Sequence, residues 1–251
     1  GNPLQQQNKI TDMKKIIFLS TLILLVIISC KKDNKTSNVN NAPATTPTST
    51  TGYDAILNTG KLQSVNSGTL SAPFNLCGAY FSSVPAISTN PASYVKVNNV
   101  SLNGTFFKFQ SYSYSDTTYS IAFPPSVWVV NGANGIPTFS YTNNNPLPAC
   151  TGYALWPDTI FRNQNTTLQM TGITGADLIN IDIQDGTTDI AQVMSTTASS
   201  VTFSTSSLST LNATTNGTLL VLLNKSNVQS IGGKSINFIG TYQLSKTVVI
   251  K

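Results

Sequence analysis

Four aspartates crowd one stretch of the chain: Asp177, Asp182, Asp185 and Asp189, gathered around Asp185-Gly186. Carboxylates beside a glycine turn are hard-oxygen ligands, which makes Asp182, Asp185 and Asp189 the candidate set for Ca²⁺. The alternating spacing of a calcium loop is missing, however, and so is its bidentate Glu. The plainer reading is a strand with a polar outer face, followed by a hairpin turn at Asp185-Gly186. Two of these residues could also act as acid and base in a hydrolase, but nothing in their spacing singles out a pair. No metal or other cofactor is expected.

Three tyrosines form a second candidate site. Tyr112 and Tyr114 share a face at period two, with Tyr119 close by on the next apolar run. An exposed row of tyrosines presents apolar rings with hydrogen-bonding tips, suited to sugar rings or a protein partner. Ordinary cross-strand pairing that stabilises a hairpin is the competing role.

Composition narrows the chemistry further. The chain has 251 residues, no His, and nine acidic residues that are all Asp. Histidine triads, histidine-ligated metals and glutamate acid/base pairs are absent with their residues. Serine is abundant, but there is no Gly-x-Ser-x-Gly elbow. Gly232-Gly233-Lys234-Ser235 lacks the first glycine of a phosphate loop and reads as a turn. Four of the five net positive charges belong to the first fifty residues: from Thr51 onward eight cations face seven carboxylates. No basic face for nucleic acid is implied. The body is expected to be non-catalytic.

These side chains need a scaffold, and the sequence supplies an all-β one. Short apolar or alternating runs alternate with Gly, Asn, Asp, Ser and Pro clusters. Tyr94–Val97 and Val100–Leu102 flank Asn98-Asn99, a hairpin signal. Further strands are expected at Thr105–Tyr114, Tyr119–Phe123, Val127–Val130 and Phe139–Tyr141. In the second half they are expected at Thr167–Met170, Leu178–Ile183, Ser200–Phe203, Leu219–Leu223, Ile236–Ile239 and Thr247–Ile250. Ile179, Ile181 and Ile183 face one way; Asn180, Asp182 and Gln184 face the other. The polar, proline-bearing stretch Asn143–Pro148 reads as a linker. Residues 52–148 hold fifteen aromatics and residues 149–251 hold six. Two tandem immunoglobulin-like sandwiches, 52–148 and 149–251, fit the strand count. Cys77 and Cys150 form an even pair; a disulfide closing a long loop is favoured over two buried thiols.

The start of the chain reads as an address. Residues 1–12 read as an upstream extension that is not native. Met13-Lys14-Lys15 precedes a thirteen-residue apolar run, Ile16–Ile28. At ~1.5 Å per residue this is about 20 Å, short of a ~30 Å hydrocarbon core, so 13–29 reads as a signal peptide. The run ends in Ile27-Ile28-Ser29-Cys30, which resembles a bacterial lipobox. That resemblance implies lipidation of Cys30 (palmitate among the chains attached) and a mature protein that begins there. Residues 30–51, rich in Thr, Asn and Pro, form a flexible tether of about 25 Å average span.

Taken together, these features resemble the envelope lipoproteins of Bacteroidota: lipobox, Thr/Asn/Pro tether and β-sandwich body. The resemblance implies a lipid-anchored outer-membrane protein, on either the periplasmic or the surface face. The expected function is binding or adhesion, with a glycan or an envelope protein as partner. A structural subunit of an envelope assembly is the alternative; an Asp-dependent hydrolase is a remote one.

Overall fold

In the computed structural model the structure describes residues 53–81, 91–107, 111–116, 119 and 121–251, with backbone alone at 105–107, 111 and 112. The leader, Cys30 and the tether lie outside the described residues. The first half carries β1 (Ala55–Asn66), β2 (Thr69–Leu70), β3 (Phe74–Phe81), β4 (Ala92–Val97), β5 (Val100–Ser101), β6 (Asn103–Phe107), β7 (Ser111–Ser115), β8 (Ser126–Gly132) and β9 (Phe139–Asn143). The second carries β10 (Thr159–Ile160), β11 (Thr166–Gln169), β12 (Leu178–Gln184), β13 (Asp189–Met194), β14 (Ser200–Phe203), β15 (Thr214–Ile231) and β16 (Lys234–Ile250). A 3₁₀ turn, Gly152–Leu155, and a single helical turn, α1 (Thr205–Leu208), complete the described elements. The all-β expectation holds.

Several strands form where the sequence predicts them. Asn98 and Asn99 have φ of +47° and +66°, the left-handed pair that a two-residue hairpin loop needs, and they join β4 to β5. Gly232 and Gly233, at φ +57° and +75°, turn β15 into β16. Both long strands alternate apolar residues on one face: Leu219, Val221 and Leu223, then Tyr242, Leu244, Val248 and Ile250. Of the strand expected at Tyr119–Phe123, the described residues Tyr119 and Ile121 to Phe123 belong to no strand; Tyr119 sits at φ +56°, outside extended geometry.

One ten-stranded sheet runs through both halves of the chain, in the order β13-β12-β15-β16-β1-β3-β7-β6, with β2 and β10 pairing off this path. β1 lies parallel to β16, from Ala55 opposite Ile236 to Val65 opposite Lys246. Strand register places the residues of two hydrophobic cores on one face of this sheet. Ala55, Leu57, Phe81, Ile236 and Phe238 enter the first core, with Val95, Val97, Trp128 and Val130. The last four belong to the second, four-stranded sheet, β5-β4-β8-β9. Ile179, Ile181, Ile183, Leu219, Val221 and Leu223 enter the second core, with Trp156, Met170, Phe203, Leu208 and Leu211. There the cover comes from the small β11-β14 sheet and the two short helical turns.

This arrangement alters the expected division at Asn143–Pro148. That segment separates two covering layers that lie over one shared sheet, and Tyr53–Lys251 is one compact unit. The reason is visible at Gly240, midway along β16. A Cβ there would meet Leu147 Cδ2 at 3.2 Å, so the linker packs onto the shared sheet at the seam between the cores. On the opposite face the seam is polar and satisfied. Thr241 Oγ1 donates toward Asn224 Oδ1 at 2.9 Å and Asn58 Oδ1 at 3.0 Å, and Ser226 Oγ donates to Asn237 Oδ1 at 2.7 Å.

Candidate functional site

The aspartate segment folds as a strand, a turn and a returning strand, and the turn separates the roles of the three candidates. Asp185 closes the β12–β13 loop. Its Oδ1 accepts from Thr187 N at 2.7 Å, Thr187 Oγ1 at 2.8 Å and Thr188 N at 2.7 Å. Its Oδ2 accepts from Asn212 Nδ2 at 2.9 Å and from the Asn212 backbone N–H. These donors, led by the Asn212 and Thr188 amides, hold its carboxyl well below the usual carboxylate range. Asp185 is a loop staple. It is not brought together with the other two, and the described residues contain no group of three or more His, Cys, Asp or Glu placed to share a metal.

Asp182 and Asp189 do meet. Asp182 pairs with Ala191 and Gln184 with Asp189 in the β12–β13 ladder. Asp189 is therefore the diagonal neighbour of Asp182 on the sheet face away from the cores, a relation that spans roughly 7–8 Å. Asp182 is 7% exposed, flanked by Ala191 and, on β15, by Leu220. Its Oδ1 has no hydrogen-bond partner among the described residues. Burial, and then the Asp189 charge, push its carboxyl up to about 7. Asp189 is raised as well, by burial, against a lowering hydrogen bond from Gln184. Two adjacent carboxyls without a cation can share a proton or accept a positive group.

Around this pair the sheet is open. β13 is the last strand of its sheet, and its exposure alternates: Asp189, Ala191 and Val193 outward, Ile190 and Gln192 half-buried, Met194 buried. Val193 is 69% exposed and Leu178, near it on β12, is 38% exposed. On the core side of β13 lies a cleft of about 430 Å³ lined by Ile190, Gln192, Phe203, Ser206, Ser207 and Thr210, among others. Gln192 Nε2 donates across it to Thr202 O at 3.0 Å. β13, the cleft and the Val193–Leu178 patch are absent from the sequence reading. The usable signal was the Asp185-Gly186 turn, which requires a returning strand after it.

Among the described side chains, Tyr114 does not take part in an exposed tyrosine row. Tyr114 is 4% exposed; its hydroxyl donates to Ala92 O, and its ring meets Phe81 edge-on, centroids 5.9 Å apart. It is a core residue because β7 pairs with β3 at the edge of the first core. Tyr112 lies opposite Phe81 in that register, and its side chain lies outside the described residues. Tyr119 is half-buried in a loop beyond the strand. The expected disulfide does not form either. Cys77 and Cys150 are both free and buried, the first in one core and the second in the other. Burial pushes both thiols up.

The chain matches no family model and no curated protein.

Proposed function

We propose that this chain is a lipid-anchored protein of the bacterial outer membrane, moored through Cys30, whose body binds a partner without catalysing a reaction. In this reading the body is two immunoglobulin-like lobes built on one shared sheet, supported by two separate cores over a continuous strand order. The observation that carries the binding role is the β12–β13 corner. There an exposed edge strand, an apolar Val193–Leu178 patch and an unpaired buried carboxylate lie together. An open edge with apolar side chains is an association surface.

A protein partner fits this corner better than a glycan. It offers alternating side chains and backbone edge, whereas Tyr114, the central residue of the supposed sugar platform, is committed to the core. A fixed partner in an envelope assembly and an exchangeable ligand would use the same edge.

The test immobilises the full chain, its Val193→Lys variant and a Ser140→Lys control on the distant β9, and exposes each to detergent-solubilised envelope from the source cells. Retention of a component by the wild type and the control, with loss in Val193→Lys, supports the reading. Equal retention by all three overturns it. The anchor is checked separately: palmitate labelling is expected in the wild type and lost in Cys30→Ala.

A further inference from the structure

The corner has a specific shape and charge, and these define what fits it. β13 has six residues in unbroken register with β12 from Asp189 to Met194. Among the described residues no strand pairs with its other side. Sheet edges are commonly blunted by lysine and other charges, proline, bulges or very short strands; of these β13 carries only the charge of Asp189. Its two sides differ. The outer side carries Val193, Ala191 and Asp189 in sequence, with Asp182 behind Asp189. The core side opens onto the cleft, with Ile190 and Phe203 as apolar walls and the Ser206 and Ser207 hydroxyls at its rim.

The charges around the carboxyl pair are unbalanced. The ion pairs of the described residues join Lys225 to Asp177, Lys234 to Asp54 and Lys246 to Asp158; none reaches Asp182 or Asp189. On the outer face, β15 presents Thr218, Leu220, Leu222 and Asn224 opposite Gln184, Asp182, Asn180 and Leu178, and none of these is cationic. Asp182 is more than nine-tenths buried, with Oδ1 unpartnered.

We propose that β13 accepts an extended segment of a partner protein as an added strand, with a basic side chain of that segment over Asp182 and Asp189 and an apolar one in the cleft. The inference rests on the binding role proposed for this corner and names the partner's chemistry. Backbone hydrogen bonds to the open edge hold the segment, and side chains at period two supply selectivity. The basic group supplies the charge that the carboxyl pair lacks. Further along the outer side, the aliphatic stem of a second residue of the segment lies over Val193 and Leu178.

The test uses the full chain and a dye-labelled, end-capped peptide, Lys-Val-Thr-Val-Lys. Its valines share one face for the cleft, and either terminal lysine can reach the carboxyl pair. Saturable anisotropy change is expected. Glu-Val-Thr-Val-Glu, the Val193→Lys variant and the Asp189→Asn variant should each weaken binding by roughly tenfold or more. Peptide N-methylated at every residue, which removes the edge-facing amides in either register, should not bind. Absence of saturable binding, or equal binding by the N-methylated peptide, overturns strand addition. Equal binding by Val193→Lys places the peptide elsewhere and also overturns it. If Val193→Lys abolishes retention of the envelope component while strand addition fails here, the corner is still a binding surface. If Val193→Lys leaves retention unchanged, the binding role of the corner fails as well.

Discussion

Replacing Asp182 by Asn keeps the shape of the side chain and removes its charge. In the folded chain the Asp182 carboxyl titrates at about 7 instead of the usual 3.8, chiefly through burial. A raised folded-state value means that the native state holds its proton more tightly than the unfolded chain does. Below about pH 4 both states are protonated, and the group has no effect on stability. Between about 4 and 7 the unfolded chain has released the proton and the native state has not, so stability falls as pH rises. Above about 7 both are ionised, and the full cost of the buried charge is present. About three decades of proton affinity, at ~1.4 kcal/mol each, set that cost at roughly 4 kcal/mol. Urea unfolding of the wild type and Asp182→Asn, followed by tryptophan fluorescence at pH 4 and pH 8, measures it. The variant's advantage is expected to grow by roughly 3–4 kcal/mol over that range. A stability difference that does not change with pH would show that Asp182 titrates like a solvated carboxylate, and the argument for an uncompensated buried charge would fail.

Other outcomes follow from the same structure. Asp185 has a lowered folded-state value, so its contribution is present above about pH 4 and lost as pH falls. Asp185→Asn should unfold at lower urea than the wild type at pH 7, with the gap closing in acid. Tyr114→Phe leaves Ala92 O without its donor and should cost about 1–2 kcal/mol by urea denaturation. Phe238→Ala and Leu223→Ala lie in different cores, yet both strip a shared sheet. Each should lower one common thermal transition, by about 3–5 kcal/mol for Phe238 and 2–5 for Leu223, and two separate transitions in the calorimeter would contradict the single unit. Cys77 and Cys150 should both react with iodoacetamide after denaturation without reductant, and neither before it, as read by peptide mass spectrometry.

Much of the fold was legible because local chemistry and tertiary structure agree. Asn98-Asn99 and Gly232-Gly233 can hold left-handed backbone, and each does so at a hairpin. Ile179, Ile181 and Ile183 needed only one buried face to declare a strand. The long β15 and β16 were read as shorter pieces because their apolar pattern lapses midway, at Asn224–Ser226 and Gly240-Thr241. Those residues lie at the seam, where Leu147 packs against Gly240 and the other face is knit by amide and hydroxyl hydrogen bonds. A polar interruption that ends a strand looks the same in sequence as one that crosses between two cores. The pairing of β1 with β16 joins residues some 180 positions apart, a relation no local pattern encodes. For the same reason the shared sheet beneath Asn143–Pro148 was not legible.

The candidate site was half legible. Clustering marked the aspartates, but only the register distinguishes Asp185, which staples a loop, from Asp182 and Asp189, which share one sheet face as diagonal neighbours. For Tyr114 the expected exposure is replaced by burial. Alternation says which residues share a face, not which face is covered, and Tyr114 turned toward Phe81. Val193 and the cleft beside Phe203 belong to β13, whose short Asp-Ile-Ala-Gln-Val-Met run carries too weak an alternation to stand out.

The account stands most directly on what touches Val193 in the cell envelope. A photo-reactive amino acid placed at Val193, and in a second strain at Ser140 on β9, reports it after irradiation of intact cells. The expected result is one discrete adduct from position 193, diminished by Asp189→Asn, and none from position 140. No adduct from either position, or the same adducts from both, would contradict a binding surface at the edge of β13.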